Sequence, residues 1–375
     1  MMDFRHLPHC APEDFEHAPL ERAETIPSSW YTHPGFLELE KECIFASSWQ
    51  MVGHLSLVKK IGDHCIAECG GNPILVVKDN QDVVRGFYNV CRHRGGPLAT
   101  ENGCSKMLQC KYHGWTYQLD GSLRGVPKFD RTELFDKKDF GLVPVHTDVW
   151  EDLIFVNIDR NPTPLEVYLR GVVERIAPAR ISGKTFARRA NYVVESNWKV
   201  YVDNYLEGYH IPLVHPELCK LLDTQQYRTE LSRFFSLQYS PITAETGMYA
   251  QGGGGAFYFF IFPNLMLNIL PGRLQTNVVL PLTHERCIVL FEYYYDDVRS
   301  DAAKRLIEED VQYSDRIQEE DAHICAHVQK GLASRAYTRG RFSAECEQGV
   351  HHFQGLLKEH YKRWFNALEG GRGEE

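Results

Sequence analysis

Cys91-Arg92-His93 and, after sixteen intervening residues, Cys110-Lys111-Tyr112-His113 place two cysteines and two histidines in two short segments, spaced C-x-H and C-x-x-H. Two thiolates on one iron and two imidazoles on the other hold a Rieske [2Fe–2S] cluster, whose potential lies above that of an all-cysteine cluster. Such a centre moves single electrons. The same donors also suit tetrahedral zinc, but zinc sites usually pair Cys with Cys and His with His, and here each segment carries one of each. Glycines flank both segments, in Arg94-Gly95-Gly96-Pro97 and Gly114-Trp115. They permit tight turns and let backbone N–H groups face bridging sulfides.

A second pair of candidate ligands, His210 and His215, ends the run that starts at Asn197-Trp198-Lys199 and closes at Pro216. Five residues correspond to about 140° on a continuous helix, so the two rings would not share a face. Pro212 disturbs the helix and Pro216 disfavours helical geometry at His215. An unwound helix end can bring both imidazoles to one point. Two histidines and a carboxylate with open positions form the facial triad of non-haem Fe(II) oxygenases. The plain alternative is two unrelated histidines beside a turn. On chemistry alone Asp315, Glu319, Glu320 and Asp321 all qualify as the carboxylate, and the same acidic stretch also reads as an exposed helix face. Glu207, three residues before His210, is either a solvated glutamate or an acceptor that orients an imidazole.

The elements that must position these residues fall into two regions. With 375 residues, 43% hydrophobic and 24% charged, the chain has room for two or three domains and a substantial core. A net charge of −9 argues against nucleic acid or an anionic membrane surface as partner. No run reaches the length of a membrane span, and the N-terminus, with Asp3, Arg5, His6 and Pro8, lacks a signal-peptide apolar core. Cys10, Cys43, Cys65, Cys69, Cys104, Cys219, Cys287, Cys325 and Cys346 show no disulfide framework, which points to reduced thiols and a cytoplasmic location. The first 44 residues form an N-terminal segment with a helical patch from Gly35 to Ala46, expected to pack on the catalytic domain. Residues 45–160 read as an antiparallel β-sandwich: Cys65–Ala67, Ile74–Val77, Val83–Val90 and Asp152–Asn157 are strand-like runs, and Leu119-Asp120-Gly121-Ser122 is a hairpin turn. Past Asn161-Pro162-Thr163-Pro164, residues 161–375 form the second domain. It reads as one helix over Leu165–Ile176, a strand over Ala190–Glu195 and a helix from Trp198. Five strands follow between Phe234 and Tyr295, then helices over Ala302–Leu332 and Gly349–Leu368. The run Gly252–Gly255 reads as a short flexible loop. The class is α+β, with an antiparallel sheet around helices in the second domain.

Tyr88-Asn89-Val90-Cys91-Arg92-His93-Arg94-Gly95 with Cys110-Lys111-Tyr112-His113-Gly114-Trp115 resembles the large (alpha) subunit of Rieske non-haem iron oxygenases. Respiratory-chain Rieske proteins carry two more cysteines, joined as a disulfide, and a serine after the second His-Gly. Those places hold Gly96, Tyr112 and Trp115 here, which implies fewer hydrogen bonds to the cluster and a lower potential. The pattern N-W-K-x₃-D-N-Y-x-E-x-Y-H-x₄-H resembles the catalytic helix of the quaternary-amine oxygenases, the choline and carnitine monooxygenases. Ile261–Asn268, Gly340-Arg341-Phe342 and His351-His352-Phe353 extend the resemblance over nearly the whole chain. At Glu207-Gly208-Tyr209 the spacing follows the bacterial rather than the plant form.

The resemblance implies a Rieske domain plus a helix-grip catalytic domain. It implies one [2Fe–2S] cluster on Cys91, His93, Cys110 and His113, and one mononuclear Fe(II) on His210, His215 and Asp321. It selects Asp321 among the four carboxylates, makes Asn204 a residue of the iron pocket, and makes Glu207 a bridge that joins a Rieske histidine of one subunit to an iron-bound histidine of the next. A homotrimer follows from that bridge. No flavin or nicotinamide motif is visible, so electrons from NAD(P)H are expected through a separate flavin or iron–sulfur reductase. With O₂, the implied reaction is hydroxylation or N-demethylation of a quaternary ammonium compound such as choline, a betaine or carnitine. The aromatic run Phe257-Tyr258-Phe259-Phe260, with Tyr201, Tyr205 and Tyr209, is a candidate for a cation–π cage, Tyr201, Tyr205 and Phe260 foremost, although aromatics in a strand are more often core. His351-His352 reads as a structural pair. Two rivals stand: an alpha subunit of an aromatic-ring dioxygenase, and a Rieske electron carrier with no oxygenase activity.

Overall fold

The structure is a computed structural model, and it describes residues 4, 6–176, 181–218, 227–242 and 255–370. Asp3, Arg5, Cys219 and residues 252–254 lie outside the described residues. The chain divides into two compact units, Phe45–Val167 and Met1–Ile44 with Tyr168–Glu375.

In the first unit, β1 (Gln50–His54), β2 (Asp63–Cys69), β3 (Asn72–Lys78), β4 (Val84–Tyr88), β5 (Gly103–Cys104), β9 (Pro144–Trp150) and β10 (Leu153–Asn157) form an antiparallel sheet. Its order is β1-β10-β9-β4-β3-β2-β5. A second small sheet pairs β6 (Leu108–Gln109), β7 (Thr116–Tyr117) and β8 (Leu123–Gly125). Strand β3 explains why Ile74-Leu75-Val76-Val77 is apolar without alternation. Ile74 and Val76 pack into one cluster with Cys65, Cys69, Val145, Ile154 and Val156. Leu75 and Val77 pack into another with Phe87, Cys91, Leu108, Cys110, Trp115 and Tyr117. A strand buried on both faces needs no polar side. Gly121, with φ +87°, makes the turn from β7 to β8, and Gln118 N–H donates to the Ser122 carbonyl at 2.9 Å.

The second unit is built on β11 (Thr185–Val194), β12 (Arg228–Leu231), β13 (Phe235–Pro241), β14 (Gly255–Ile261), β15 (Leu265–Leu270), β16 (Arg273–Thr283) and β17 (Arg286–Tyr295). The order is β11-β17-β16-β15-β14-β13-β12, antiparallel throughout. Central strands β14 and β15 are mostly buried, whereas the edge strands β11 and β12 hold one buried residue between them, Val194. The helices are α1 (Ser29–Thr32), α2 (Pro34–Cys43), α3 (Leu165–Tyr168), α4 (Arg170–Ile176), α5 (Trp198–Tyr205), α6 (Ile211–Val214), α7 (Asp301–Leu332) and α8 (Gln348–Gly370). The chain leaves one unit and enters the other within α3. The stretch Leu165–Ile176 is two helices, interrupted at Leu169. After the break-point side, Tyr168 is fixed by stacking on Phe234 and by donating to the Phe262 carbonyl at 2.6 Å.

Helices α5 and α7 pack on each other, and both reach β-strands of the sheet, so the fold is the expected α+β arrangement of helices gripped by an antiparallel sheet. Helix α7 runs 32 residues from its cap Ser300, whose hydroxyl accepts from Ala303 N–H at 3.1 Å. The back of α5 is held by a buried polar cluster. Glu40 of α2 accepts from Trp198 Nε1 at 2.6 Å, from Tyr361 Oη at 2.6 Å, and from Lys199 Nζ. Lys199 and Glu40 are both fully buried, so each ion requires the other. Among the described residues no helix is long and apolar enough to cross a membrane, and ten cysteines are free thiols.

Candidate metal centres

The two loops of the first unit have the same backbone frame. Gly95 N–H donates to the Cys91 carbonyl and Gly114 N–H to the Cys110 carbonyl, each at 3.0 Å. Cys91 N–H donates to Gly96 at 2.8 Å and Cys110 N–H to Trp115 at 2.9 Å. Gly95 and Gly114 both have φ +75°, a conformation that favours glycine. A Cβ at Gly96 would lie 2.8 Å from the Cys110 sulfur, so a side chain there would crowd that donor. The loops bring the His93 and His113 rings to 4.7 Å between centroids. His93 lies flat on Trp115, at 4.9 Å and 7°.

These residues fit a cluster. His93 Nδ1 is buried with no hydrogen-bond partner, as a metal-ligating nitrogen would be. Burial pushes the Cys91 thiol above its ordinary value, and neighbouring Cys110 adds to that, although Tyr117 opposes it. Ionising both buried thiols calls for a cation. The structure also adds a donor that the sequence reading had not identified. The Tyr117 hydroxyl lies 3.3 Å from the Cys91 sulfur and accepts from Arg92 N–H at 3.0 Å.

In the second unit, Asn197 caps α5 by accepting from Lys199 N–H at 2.9 Å. The helix stops at Leu206, the chain opens through Glu207–His210, and the single turn α6 holds Pro212 near its start. His215 leaves that turn with φ −124°. The His210 and His215 rings thereby meet at 5.1 Å, inclined by 79°. Asp321, from α7, joins them: its Oδ1 is 2.9 Å from His215 Nε2 and 3.7 Å from His210 Nε2. One ligand atom from each of the three lies within 4.8 Å of the others.

The far nitrogens are held as well. His210 Nδ1 is 2.7 Å from Glu207 Oε1, and His215 Nδ1 is 2.6 Å from Glu320 Oε2. Donation from each Nδ1–H to a carboxylate leaves both Nε2 lone pairs facing Asp321, and so orients both rings for a metal. Asn204 Nδ2 donates to Asp321 Oδ1 at 2.7 Å. Burial disfavours the His215 imidazolium, yet Asp321 and Glu320 outweigh it and raise its pKa. The electrostatics of the site call for positive charge there. Of the other candidate carboxylates, Glu320 lies on the outer nitrogen of His215, and Asp315 accepts from the Tyr192 hydroxyl instead.

The triad opens onto a cavity of about 120 Å³. Tyr201, Tyr205, Tyr227, Tyr258 and Phe291 form aromatic walls, and Gln238, Asn268, Gln275, Asn277, Ser314 and Gln318 supply neutral polar groups. Asn204 and Glu207 also line it. Phe260 does not: it is buried against Phe353 of α8, ring edge to face at 5.4 Å. Tyr209 points outward and is 61% exposed. Tyr258 belongs to the aromatic run that the sequence offered as a cage, and it lines the cavity; Gln275 and Asn277 had no sequence signal, because strand register rather than local spacing sets them beside Asn268 and Met266. Behind the site, Asp203 accepts from the Tyr31 hydroxyl at 2.5 Å and from Gln354 Nε2 at 3.3 Å. Burial raises this carboxyl to about 7, with Tyr31, Gln354 and Lys199 opposing. His351 Nε2–H donates to the Ala18 carbonyl at 2.9 Å, and the ring stacks on His17.

Comparison with known proteins matches both units. Residues 48–141 match the family described as Rieske [2Fe-2S] domain, and residues 184–363 match Ring hydroxylating alpha subunit (catalytic domain). The chain is 35% identical over 361 residues to choline monooxygenase, chloroplastic, of Arabidopsis thaliana, covering 92% of this chain and 84% of that one. It is 33% identical over 367 residues to the carnitine monooxygenase oxygenase subunit of Escherichia coli K12, covering 94% and 97%. Among solved structures, the quaternary ammonium Rieske monooxygenase CntA in complex with L-carnitine superposes with a TM-score of 0.82 at 30% identity, covering 93% of this chain and 98% of that one. Naphthalene 1,2-dioxygenase from Rhodococcus sp., at 19% identity and TM-score 0.75, shares the fold.

Proposed function

The chain belongs to the Rieske non-haem iron oxygenase alpha subunits, and from that premise we propose that it is the terminal oxygenase of a monooxygenase acting on a quaternary ammonium compound. The observation that carries this reading is the convergence of His210, His215 and Asp321 at the wall of a tyrosine-rich cavity. The two matched domains imply an iron–sulfur cluster and a mononuclear iron. Cys91, His93, Cys110 and His113 would hold the cluster, and His210, His215 and Asp321 the single Fe(II). When bound, these groups supply single-electron delivery and reductive activation of O₂.

The protein's own contribution is positioning. Glu207 and Glu320 fix the tautomers of His210 and His215, and Asn204 fixes Asp321. The tyrosine walls hold a trimethylammonium head through cation–π attraction, worth about 0.5–2 kcal/mol per favourable ring, and place its methyl or neighbouring carbon beside the triad. They also exclude bulk water from the reacting carbon. Hydroxylation of an N-methyl group gives a hemiaminal that splits into formaldehyde, the tertiary amine and a proton; hydroxylation of another carbon next to nitrogen splits to a larger aldehyde and the amine, and hydroxylation of an alcohol carbon gives an aldehyde hydrate. Electrons come from NAD(P)H through a separate reductase. Glu207 joins the two centres between chains of a homotrimer, its carboxylate bridging His210 to a Rieske histidine of the neighbour.

An arene dioxygenase would favour an apolar pocket, and the amides and hydroxyls of this cavity count against it. The test is O₂ uptake with a generic reductase on a panel of quaternary amines and arenes. Uptake coupled to formaldehyde or aldehyde release from a quaternary amine supports the proposal; uptake with arenes alone refutes it.

A further inference from the structure

We infer that the Tyr227 ring sets the largest substituent that a quaternary cation can carry into the iron cavity, because it is the partition between that cavity and a cleft on the surface; this rests on the quaternary-amine reading above. The cavity beside the triad is about 120 Å³. A cleft of about 520 Å³ adjoins it, lined by Gly208, Tyr209, Pro212, Arg228 and Glu345 among others. Among the described residues, Tyr227 and Ile211 line both. Ile211 is buried and follows His210 in the chain, so it cannot give way without moving that imidazole. Tyr227 is partly buried, its hydroxyl donates to Gln238 Oε1, and Gln238 Nε2 donates to the Tyr205 carbonyl at 2.6 Å. On the other side a Cβ at Gly208 would lie 3.0 Å from the ring, so the ring is seated directly against that backbone. It spans from Gly208, which lines the cleft, to Gln238, which lines the cavity.

Volume decides what this partition excludes. A cavity of about 150 Å³ holds a single benzene. At about 120 Å³ the iron cavity takes one compact ammonium head and leaves no room for an aryl group beside it. An iron on His210, His215 and Asp321 takes up part of that space and adds none, and its charge bears alike on any two monocations. Truncating Tyr227 at Cβ would join cavity to cleft, so that a longer substituent lies across Gly208. With the ring in place, the same substituent has to push it aside and break its hydrogen bond to Gln238. Tyr227 also faces the cation, so its loss removes the same cation–π attraction from every quaternary ion. The ratio of two affinities cancels that shared loss and leaves the effect of size.

The experiment uses the iron-loaded protein without O₂, titrated calorimetrically with tetramethylammonium and with benzyltrimethylammonium, which carries a phenyl group on one methyl. The unaltered protein is expected to bind tetramethylammonium about tenfold more tightly or better, the effect of forcing a packed wall to shift. Tyr227→Ala should bring the two affinities within about threefold of each other. Tyr227→Phe keeps the ring and should keep the ratio of the unaltered protein. If circular dichroism and the Rieske absorption show that Tyr227→Ala does not fold, Tyr227→Leu carries the same comparison, with a smaller change in the same direction. Equal affinities in the unaltered protein overturn the inference, and so does an unchanged ratio in the folded alanine or leucine variant. A relaxed ratio in Tyr227→Phe overturns it too, because the bond to Gln238 and not the ring would then set the limit. If neither cation binds any of these proteins, the quaternary-amine reading itself fails, a result distinct from an unchanged ratio.

Discussion

Glu320→Ala is expected to weaken Fe(II) binding without touching a direct ligand. The Glu320 carboxylate lies 2.6 Å from Nδ1 of His215, a ring whose side chain is 1% exposed. Hydrogen bonds to charged groups contribute about 1.5–3 kcal/mol. Glu320 itself is 44% exposed, so solvent screening moves the value to the low end of that range. At about 1.4 kcal/mol per decade, the loss is roughly tenfold in affinity, the lower bound of the 10–100-fold typical of groups hydrogen-bonded to a ligating histidine. The assay is anaerobic competition for Fe(II) against a chromophoric chelator. Glu320→Gln, whose carbonyl still accepts from Nδ1–H, should lose less than Glu320→Ala. The Rieske absorption serves as an internal control, because its ligands lie in the other unit. Unchanged Fe(II) affinity in folded Glu320→Ala would refute the argument that this carboxylate orients His215.

Three further outcomes follow from the same geometry. His210→Ala should abolish turnover and mononuclear iron while Rieske absorption and EPR signals persist; loss of those signals would contradict two separate sites. Tyr117→Phe removes the hydroxyl 3.3 Å from the Cys91 sulfur and should lower the cluster midpoint potential by about 40 mV, one hydrogen bond of ~1 kcal/mol in a one-electron couple, read by redox titration. Asp203 is raised to about 7 from an ordinary 3.8, so between those values the folded chain binds more protons than the unfolded one. Stability therefore falls as pH rises through that window, by at most about 4 kcal/mol. Asp203→Asn should flatten this dependence in denaturation curves measured from pH 5 to 7.5; an unaltered slope would show that Asp203 ionises freely in the fold.

Much of this architecture is legible from local pattern. The Rieske loops are readable because ligand spacing and the glycines at positions 95 and 114 are consequences of one short backbone frame. Strand β15 is an apolar run with the bounds its sequence suggests, Leu265–Leu270. Other strands are not so marked. Residues Arg228–Leu231 read R-T-E-L and form edge strand β12, none of whose residues is fully buried and which carries no apolar alternation. The polar start of β11 at Thr185 is hidden for the same reason. Choosing Asp321 over Asp315, Glu319 and Glu320 depends on the rotational phase of α7 against α5, which spacing along α7 does not disclose. The cavity is the least legible part. Tyr258 and Phe260 lie on one face of β14, yet Tyr258 meets the cavity and Phe260 meets Phe353 of α8. Packing against Phe353 takes up one ring, and the other is left to the cavity.

The central claim is that one polypeptide carries two distinct iron centres, a cluster that delivers electrons and a single iron that uses them on O₂. Iron content per chain, quantified alongside the Rieske EPR signal, tests it most directly. About three irons per chain are expected, two of them accounted for by the cluster signal and one lost selectively in His210→Ala. Two irons per chain, unchanged in that variant, would mean an electron carrier and would contradict the account.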